Sequence, residues 1–368
     1  MVWGAYKSHK HLSCQNITNG ILTLTVMLPS ILLIQYMNQQ CIDKINDENM
    51  LKSYTTLNEF KDNMVSIINS QDTGSICKTY LGNPILTVNI LFFLNVSILF
   101  WIIGLIQHTF WLIDPYWTIL PVLIGHFYRQ HPLADPNPSL QANLAMILVY
   151  VWAFRLTYSY FRRENFKFGE REDWRYTKMA EDFGNWWYIL SFFAVGIAQQ
   201  PLLVGVSLPL CAVHIPSSSA STTDILSNDY MNYIFFILCI SAILIAESSD
   251  TTLQTFMKEN KKRVKNGRKK IPILRNGLWK YSRHPNYFGE ISFWTLYSSF
   301  AFLNGSGWMI IGTVMNTACL LTVTSMTESK MLREWPKERV QLYKQYQQEV
   351  SMLVPWPCVS SSKKSNID

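Results

Sequence analysis

The chain has 368 residues, of which 49% are hydrophobic and 14% aromatic, and it carries a formal net charge of +7. Only 15% of its residues are charged, against about 25% in a soluble domain, and they gather in blocks, which argues against an ordinary soluble enzyme. Mean hydropathy lies barely above zero, so apolar stretches alternate with strongly polar ones, the pattern of bundled membrane spans joined by charged loops.

The first apolar run, Ile21 to Met37, has no small-residue cleavage site after it and runs into Gln39, Gln40 and Cys41, so it reads as a retained signal anchor. A hydrophilic loop over 41–84 follows, bracketed by Cys41 and Cys77; a disulfide between them requires this loop to be lumenal. The seven cysteines, at 14, 41, 77, 211, 239, 319 and 358, include no CxxC pair and no histidine at zinc-ligand spacing, so no metal site is expected. Further apolar runs fall near 85–106, 115–126, 140–156, 186–214, 230–247, 287–303 and 307–326. The run 186–214 carries Gln199-Gln200-Pro201 in its middle, which makes it one kinked span or two short ones. The expected architecture is an all-α polytopic bundle of about seven to eight spans with a helical cofactor pocket on the cytosolic side. It divides into an N-terminal span and lumenal loop (1–84), a transmembrane domain (85–357) and a disordered polar tail (358–368).

Short loops rich in Lys and Arg stay cytosolic during insertion. One such loop holds Lys258, Lys261, Lys262, Arg263, Lys265, Arg268, Lys269 and Lys270, an earlier one Arg155 to Lys178, and more follow from Lys330. This places the C-terminus in the cytosol, with 41–84 and the Ser/Thr-rich 216–229 in the lumen, and eight spans would put both termini on one side. Asn16-Ile-Thr18 then lies in the cytosol, Asn95-Val-Ser97 inside a span and Asn304-Gly-Ser306 in a tight lumenal turn, so none of the three sequons is expected to be used.

The informative stretch is Gly277 to Glu290, which runs into the apolar helix Ile291 to Phe302. Pro285 suits a first helical turn. From there Asn286, Glu290 and Trp294 fall at i, i+4 and i+8 beside Tyr287, and a carboxylate at membrane depth is costly without a partner. Upstream, Glu247, Asp250, Gln254 and Lys258 recur at spacings of three and four, where neighbouring acids repel unless a ligand or cation separates them. The bland reading is that these groups pair with loop arginines and fasten helix ends. Against it stands their density, since Arg283, His284, Asn286, Tyr287 and Glu290 supply the donors, acceptors and ring that a ligand with phosphates, ribose hydroxyls and an amide would use.

Trp279-Lys-Tyr-Ser-Arg-His-Pro-Asn-Tyr-Phe-Gly-Glu290 resembles the R-H-P-N-Y-x-G-E/D signature of 3-oxo-5α-steroid 4-dehydrogenases, sterol C14 reductases and a large uncharacterised reductase-like membrane family, DUF1295. The last is the closest resemblance. It extends over roughly 110–357 through Asp114-Pro-Tyr-Trp117, Phe154-Arg-Leu156, Glu172-Asp-Trp-Arg-Tyr176, Glu247-Ser-Ser-Asp250 and Tyr343-x-x-Tyr346. Residues 1–84 find no counterpart, and Thr252 stands where that family often has glutamine. The resemblance implies NADPH in a cytosol-facing pocket and a lipid substrate entering from the bilayer. Carried over by position, Glu247, Asp250, Lys258, Trp279, Arg283, His284, Asn286, Tyr287, Glu290 and Tyr346 would line the cofactor site, with Arg155 and Arg175 as further candidates. The lysine-rich loop would favour a 2′-phosphate or act only as a topology determinant. No G-x-G-x-x-G follows a strand pattern, so the dinucleotide would be held by helices.

Reducing a double bond conjugated to a carbonyl needs hydride at the β-carbon and an acid for the enolate oxygen. Asp114, Tyr116 and Tyr158 are the candidates for the acid, each also readable as an interfacial anchor or helix cap. Two rivals stand beside the reductase. Isoprenylcysteine carboxyl methyltransferases share a related R-H-P-x-Y-x-G segment and bind S-adenosylmethionine; a non-catalytic lipid-binding membrane protein could keep the fold without the chemistry. Paired broken helices in two repeated halves, the mark of a transporter, are not seen, no nucleic-acid partner is expected, and the endoplasmic reticulum is the default membrane.

Overall fold

The structure is a computed structural model, described here for residues 13–70, 72–169, 171–215 and 229–357. The expected lumenal Ser/Thr-rich segment, save Asp229's immediate neighbourhood, and the expected polar tail lie outside the described residues. In chain order the helices are α1 (Ser13–Thr25), α2 (Leu28–Cys41), α3 (Glu48–Leu51), α4 (Leu57–Ser70), α5 (Thr73–Gly82), α6 (Pro84–Phe92), α7 (Trp101–Gln107), α8 (Ile113–Gln130) and α9 (Leu140–Arg163). They continue with α10 (Trp174–Phe183), α11 (Trp187–Ser191), α12 (Gln199–Val206), α13 (Leu208–His214), α14 (Asp229–Lys265), α15 (Pro285–Tyr297), α16 (Ser299–Leu303), α17 (Ile310–Glu334) and α18 (Lys337–Glu349). Among the described residues the one strand-like feature is an isolated bridge between Ser282 and Ser351.

Among the described residues six helical stretches are long and apolar enough to cross a membrane: Asn16–Lys44, Pro84–Gln107, Leu140–Arg163, Trp174–His214, Asp229–Lys265 and Gly307–Glu334. The two remaining apolar runs fold differently. Run 115–126 sits in α8, whose Pro121 lies inside the helix, and run 287–303 is divided between α15 and α16 at Ser298. The long run 186–214 keeps helical direction through a π-helical stretch, Phe192–Ile197, and then α12 and α13, with Pro201 and Pro209 each in a first turn where the missing N–H costs nothing. A second π-helical stretch, Phe93–Phe100, links α6 to α7.

The chain forms two units, one of Met1–Asn232 with Ser298–Gly312, the other of Tyr233–Tyr297 with Thr313–Asp368. In the first, Cys41 and Cys77 are joined, their Cα atoms 5.3 Å apart. Around this disulfide, Tyr80 donates to Asn38 Oδ1 at 2.8 Å, and His131 is fixed as one tautomer: Nδ1 accepts from the Leu133 N–H at 3.2 Å, so Nε2 donates to the Tyr80 carbonyl at 3.0 Å. Where α12 meets the first turn of α17, a Cβ on Gly312 would lie 2.1 Å from the Gly205 backbone, so these helices touch main chain to main chain. All three sequon asparagines spend their side chains inside the protein. Asn16 accepts from the Phe168 N–H at 2.7 Å, Asn95 donates to the Val26 carbonyl at 2.9 Å, and Asn304 donates to Gln141 Oε1 at 2.6 Å.

Candidate functional site

The second unit carries the signature segment. Residues Gly277–Lys280 form one 3₁₀ turn, a short link carries the chain to Pro285, and α15 begins there with the proline in its first turn. The link is fastened on every side. The Arg283 guanidinium donates to both carboxylate oxygens of Glu328, Nε to Oε1 at 2.8 Å and Nη2 to Oε2 at 3.2 Å, and its Nη1 donates to the carbonyls of Gln347 and Val350 at 3.0 and 2.6 Å. His284 Nε2 lies 3.0 Å from Glu328 Oε1, and Gln347 Nε2 donates to Oε2 at 2.7 Å. The Tyr346 hydroxyl donates to the Trp279 carbonyl, while Trp279 Nε1 donates to the Ser249 carbonyl at 3.0 Å. The Arg283 and Glu328 side chains are each 10% exposed. A bidentate, buried pair of this kind is an internal fastening.

The expectation that Arg283, His284, Trp279 and Tyr346 line a cofactor pocket therefore meets a different arrangement, in which each of these four side chains is hydrogen-bonded to a protein group. The acid that organises them, Glu328, was missed by sequence reasoning. Its signal was present: it is a carboxylate at the end of the apolar run 307–326, the same feature that drew attention to Glu290.

One turn into α15 the arrangement changes. A Cβ on Gly289 would lie 2.7 Å from the Ala246 Cβ and 2.8 Å from the Ala242 carbonyl, so α14 and α15 cross in direct contact and no ligand fits between them at that level. On the cytosol-expected side of this crossing, Asn286 Nδ2 donates to Asp250 Oδ1 at 3.0 Å. Asn286 Oδ1 and Gln254 Oε1, both shielded from solvent, have no hydrogen-bond partner among the described residues. A buried acceptor left unmade costs about 1–3 kcal/mol, a cost normally avoided. Glu247 accepts from the Thr251 hydroxyl at 2.8 Å, Tyr287 stacks on His284 with ring centres 5.6 Å apart, and Glu290 lies partly buried on α15. The hydroxyl of Thr252 donates back to the Ser248 carbonyl at 2.8 Å, so it offers its own helix what a glutamine would have offered outward.

Beyond this point α14 continues in one piece. At about 100° per residue Asp250, Gln254, Lys258, Lys261 and Lys265 share one face, and Asn260 and Arg263 fall on the far side. There they hold the returning loop: Asn260 exchanges two hydrogen bonds with the Ile271 main chain at 3.1 and 2.8 Å, and Arg263 Nε donates to the Lys269 carbonyl at 2.8 Å. The lysine row, Lys258 included, remains exposed.

The other candidates belong to the first unit. Arg175 pairs with Asp173, Nε to Oδ1 at 2.9 Å and Nη2 to Oδ2 at 2.6 Å, which caps α10; Arg155 is buried on α9. The Tyr116 hydroxyl donates to the Thr23 carbonyl, and Tyr158 is exposed with the Arg162 guanidinium 5.2 Å from its ring centre. These placements give Tyr116 and Tyr158 anchoring contacts. Asp114 lies in the first turn of α8.

A family match covers most of this ground. The family described as Protein of unknown function (DUF1295) matches residues 100–350. An uncharacterised protein of Schizosaccharomyces pombe, C594.04c, is 22% identical over 255 residues, 66% of this chain and 72% of that protein. No solved structure matches the chain. The match takes in α7 to α18 and leaves the disulfide-bonded residues 41–84 outside it. With more than half of its length matched, including the Arg283–Glu328 fastening and the Asn286–Asp250 face, the chain belongs to the DUF1295 family.

Proposed function

We propose that the chain is an NADPH-dependent reductase of a lipid double bond conjugated to a carbonyl, in line with the resemblance of its signature to steroid and sterol reductases. The observation that carries this reading is the pair of unsatisfied amide acceptors, Asn286 Oδ1 and Gln254 Oε1, on a helix face that turns basic along its length. From Asp250 to Lys261 the face rises about 17 Å, the scale of an extended dinucleotide, with amide and carboxylate groups at one end and ammonium groups at the other. Asp250 holds the Asn286 amide so that its oxygen is presented to an N–H donor such as a carboxamide, and Asp250 and Glu247 suit ribose hydroxyls. Lys258, Lys261 and Lys265 suit phosphates. Lys261 stands about 22 Å along the axis from Ala246, well past the ~8 Å reach of leaflet charge, which favours a soluble anion over lipid headgroups there. When bound, NADPH supplies the hydride. Asp114, in the first turn of α8, is the candidate for the acid that quenches the enolate.

The proposed topology counts α8 and the α15–α16 pair with the six long apolar stretches, giving eight spans, both ends cytosolic and a C-terminal half facing the cytosol. The Cys41–Cys77 disulfide supports a lumenal 41–84 loop, since such bonds persist in oxidising compartments such as the endoplasmic reticulum.

The commitment of Arg283 to Glu328 favours a second reading, because it removes an arginine from phosphate binding. S-adenosylmethionine carries no phosphate, and a methyltransferase of the isoprenylcysteine type would not need one. The experiment is mass spectrometry of small molecules retained by detergent-purified protein, followed by titration with NADPH, NADH and S-adenosylmethionine. Retained NADPH whose affinity falls more than that of NADH on charge reversal of Lys258 and Lys261 is the expected result. Retained S-adenosylmethionine, or no binding of either nicotinamide dinucleotide, overturns the reductase reading.

A further inference from the structure

After α18 the chain does not leave the second unit. Residues 350–357 run back along the link ahead of α15 as a strap: the Arg283 N–H donates to the Ser351 carbonyl at 2.9 Å, Ser282 Oγ to the Leu353 carbonyl at 2.7 Å, and the Trp356 N–H to the Tyr281 carbonyl at 3.1 Å. With its main chain held at these points, the strap turns large apolar side chains outward. Trp356 is 67% exposed and Val354 53% exposed, with Tyr281 beside them. An open recess of about 500 Å³ lies along the strap, with Arg283 and Glu349 among its lining residues together with Met352, Val354 and Trp356.

The height of this strap is set by its partners. Its bonds go to residues 281–283, which immediately precede the helix that carries the apolar run 287–303, and Arg283 is pinned to Glu328, near the end of the apolar stretch Gly307–Glu334. In the proposed topology both helices reach their membrane boundary at this level. Exposed tryptophan at such a level is the side chain that bilayers hold best, ring in the headgroup zone and indole N–H toward water. A water-facing surface would gain nothing from three large apolar side chains in a row.

We propose that the strap docks on the cytosolic leaflet, with Trp356 and Val354 at headgroup depth among the phospholipids. Docking gives the Arg283–Glu328 fastening a function: it couples the signature link to the leaflet surface. The inference rests on the proposed membrane orientation and is independent of the reductase chemistry.

The test is photocrosslinking in nanodiscs of phosphatidylcholine and phosphatidylserine, with p-benzoylphenylalanine at position 356, at position 281, where it replaces one ring by another, or at position 261 on the lysine row. Intact-mass analysis after irradiation is expected to show a one-phospholipid adduct at 356 and 281 at least about tenfold above that at 261. Equal yields at all three positions, absence of lipid adducts at both 356 and 281, or adducts there to a second copy of the chain would overturn the proposal. Each outcome is read from lipid mass alone and leaves the question of nucleotide binding untouched.

Discussion

The link 282–284 and the helix face that begins at Asn286 are made of the same kinds of side chain, and a few residues separate them. In the link, one buried carboxylate, Glu328, receives Arg283, His284 and Gln347, and two main-chain carbonyls take the remaining guanidinium bonds. On the face, Asn286 donates to Asp250, and its oxygen, like that of Gln254, has no hydrogen-bond partner among the described residues. The first arrangement is closed by the protein itself. The second leaves two solvent-shielded amide oxygens unmet, on the side from which α14 continues to the lysines. Residue type and density alike point to a ligand in both regions; what separates them is a distant acid on α17 that serves one and does not reach the other.

The sharpest way to break this contrast is to remove that acid. Glu328→Ala leaves the Arg283 charge buried and unpaired, and losing one partner of a buried pair costs about 3–5 kcal/mol. Thermal unfolding in detergent should show a correspondingly large fall in midpoint for this variant. A midpoint close to the parent's would mean that the link is free to serve a ligand after all. A smaller loss, about 1–3 kcal/mol, is expected for Gly289→Ala, where the added methyl meets the Ala246 Cβ and the α14 backbone and forces the two helices apart. The same unfolding measurement checks it, and an unaltered midpoint would show that the crossing has slack.

Asn286→Ala probes the second arrangement. Because its oxygen has no partner, truncation should cost little stability, within about 1 kcal/mol, while dinucleotide affinity falls tenfold or more, a further ~1.4 kcal/mol or greater. Titration of purified protein with NADPH, set beside its unfolding midpoint, separates the two. Lost stability with unchanged affinity would place Asn286 among the fastenings.

Much of this fold was legible because apolar length is a strong signal. The runs near 20–37, 85–106, 140–156, 186–214, 230–247 and 307–326 each lie within a helical stretch long enough to cross a bilayer. Boundaries fared less well: α14 runs on to Lys265 because nothing in Glu247–Lys265 breaks a helix, whereas hydropathy ends at the first acid. Pro285 marked the start of α15, and spacing put Asn286 and Asp250 on polar faces of two helices without showing that they meet. What could not be read was partner choice. A single sequence shows that Arg283 and Glu328 are both costly to bury but not that they meet across 45 residues, as their 2.8 Å bond does. Likewise, Tyr116 and Asp114 look equally like acid candidates on paper, and only the Thr23 carbonyl distinguishes them.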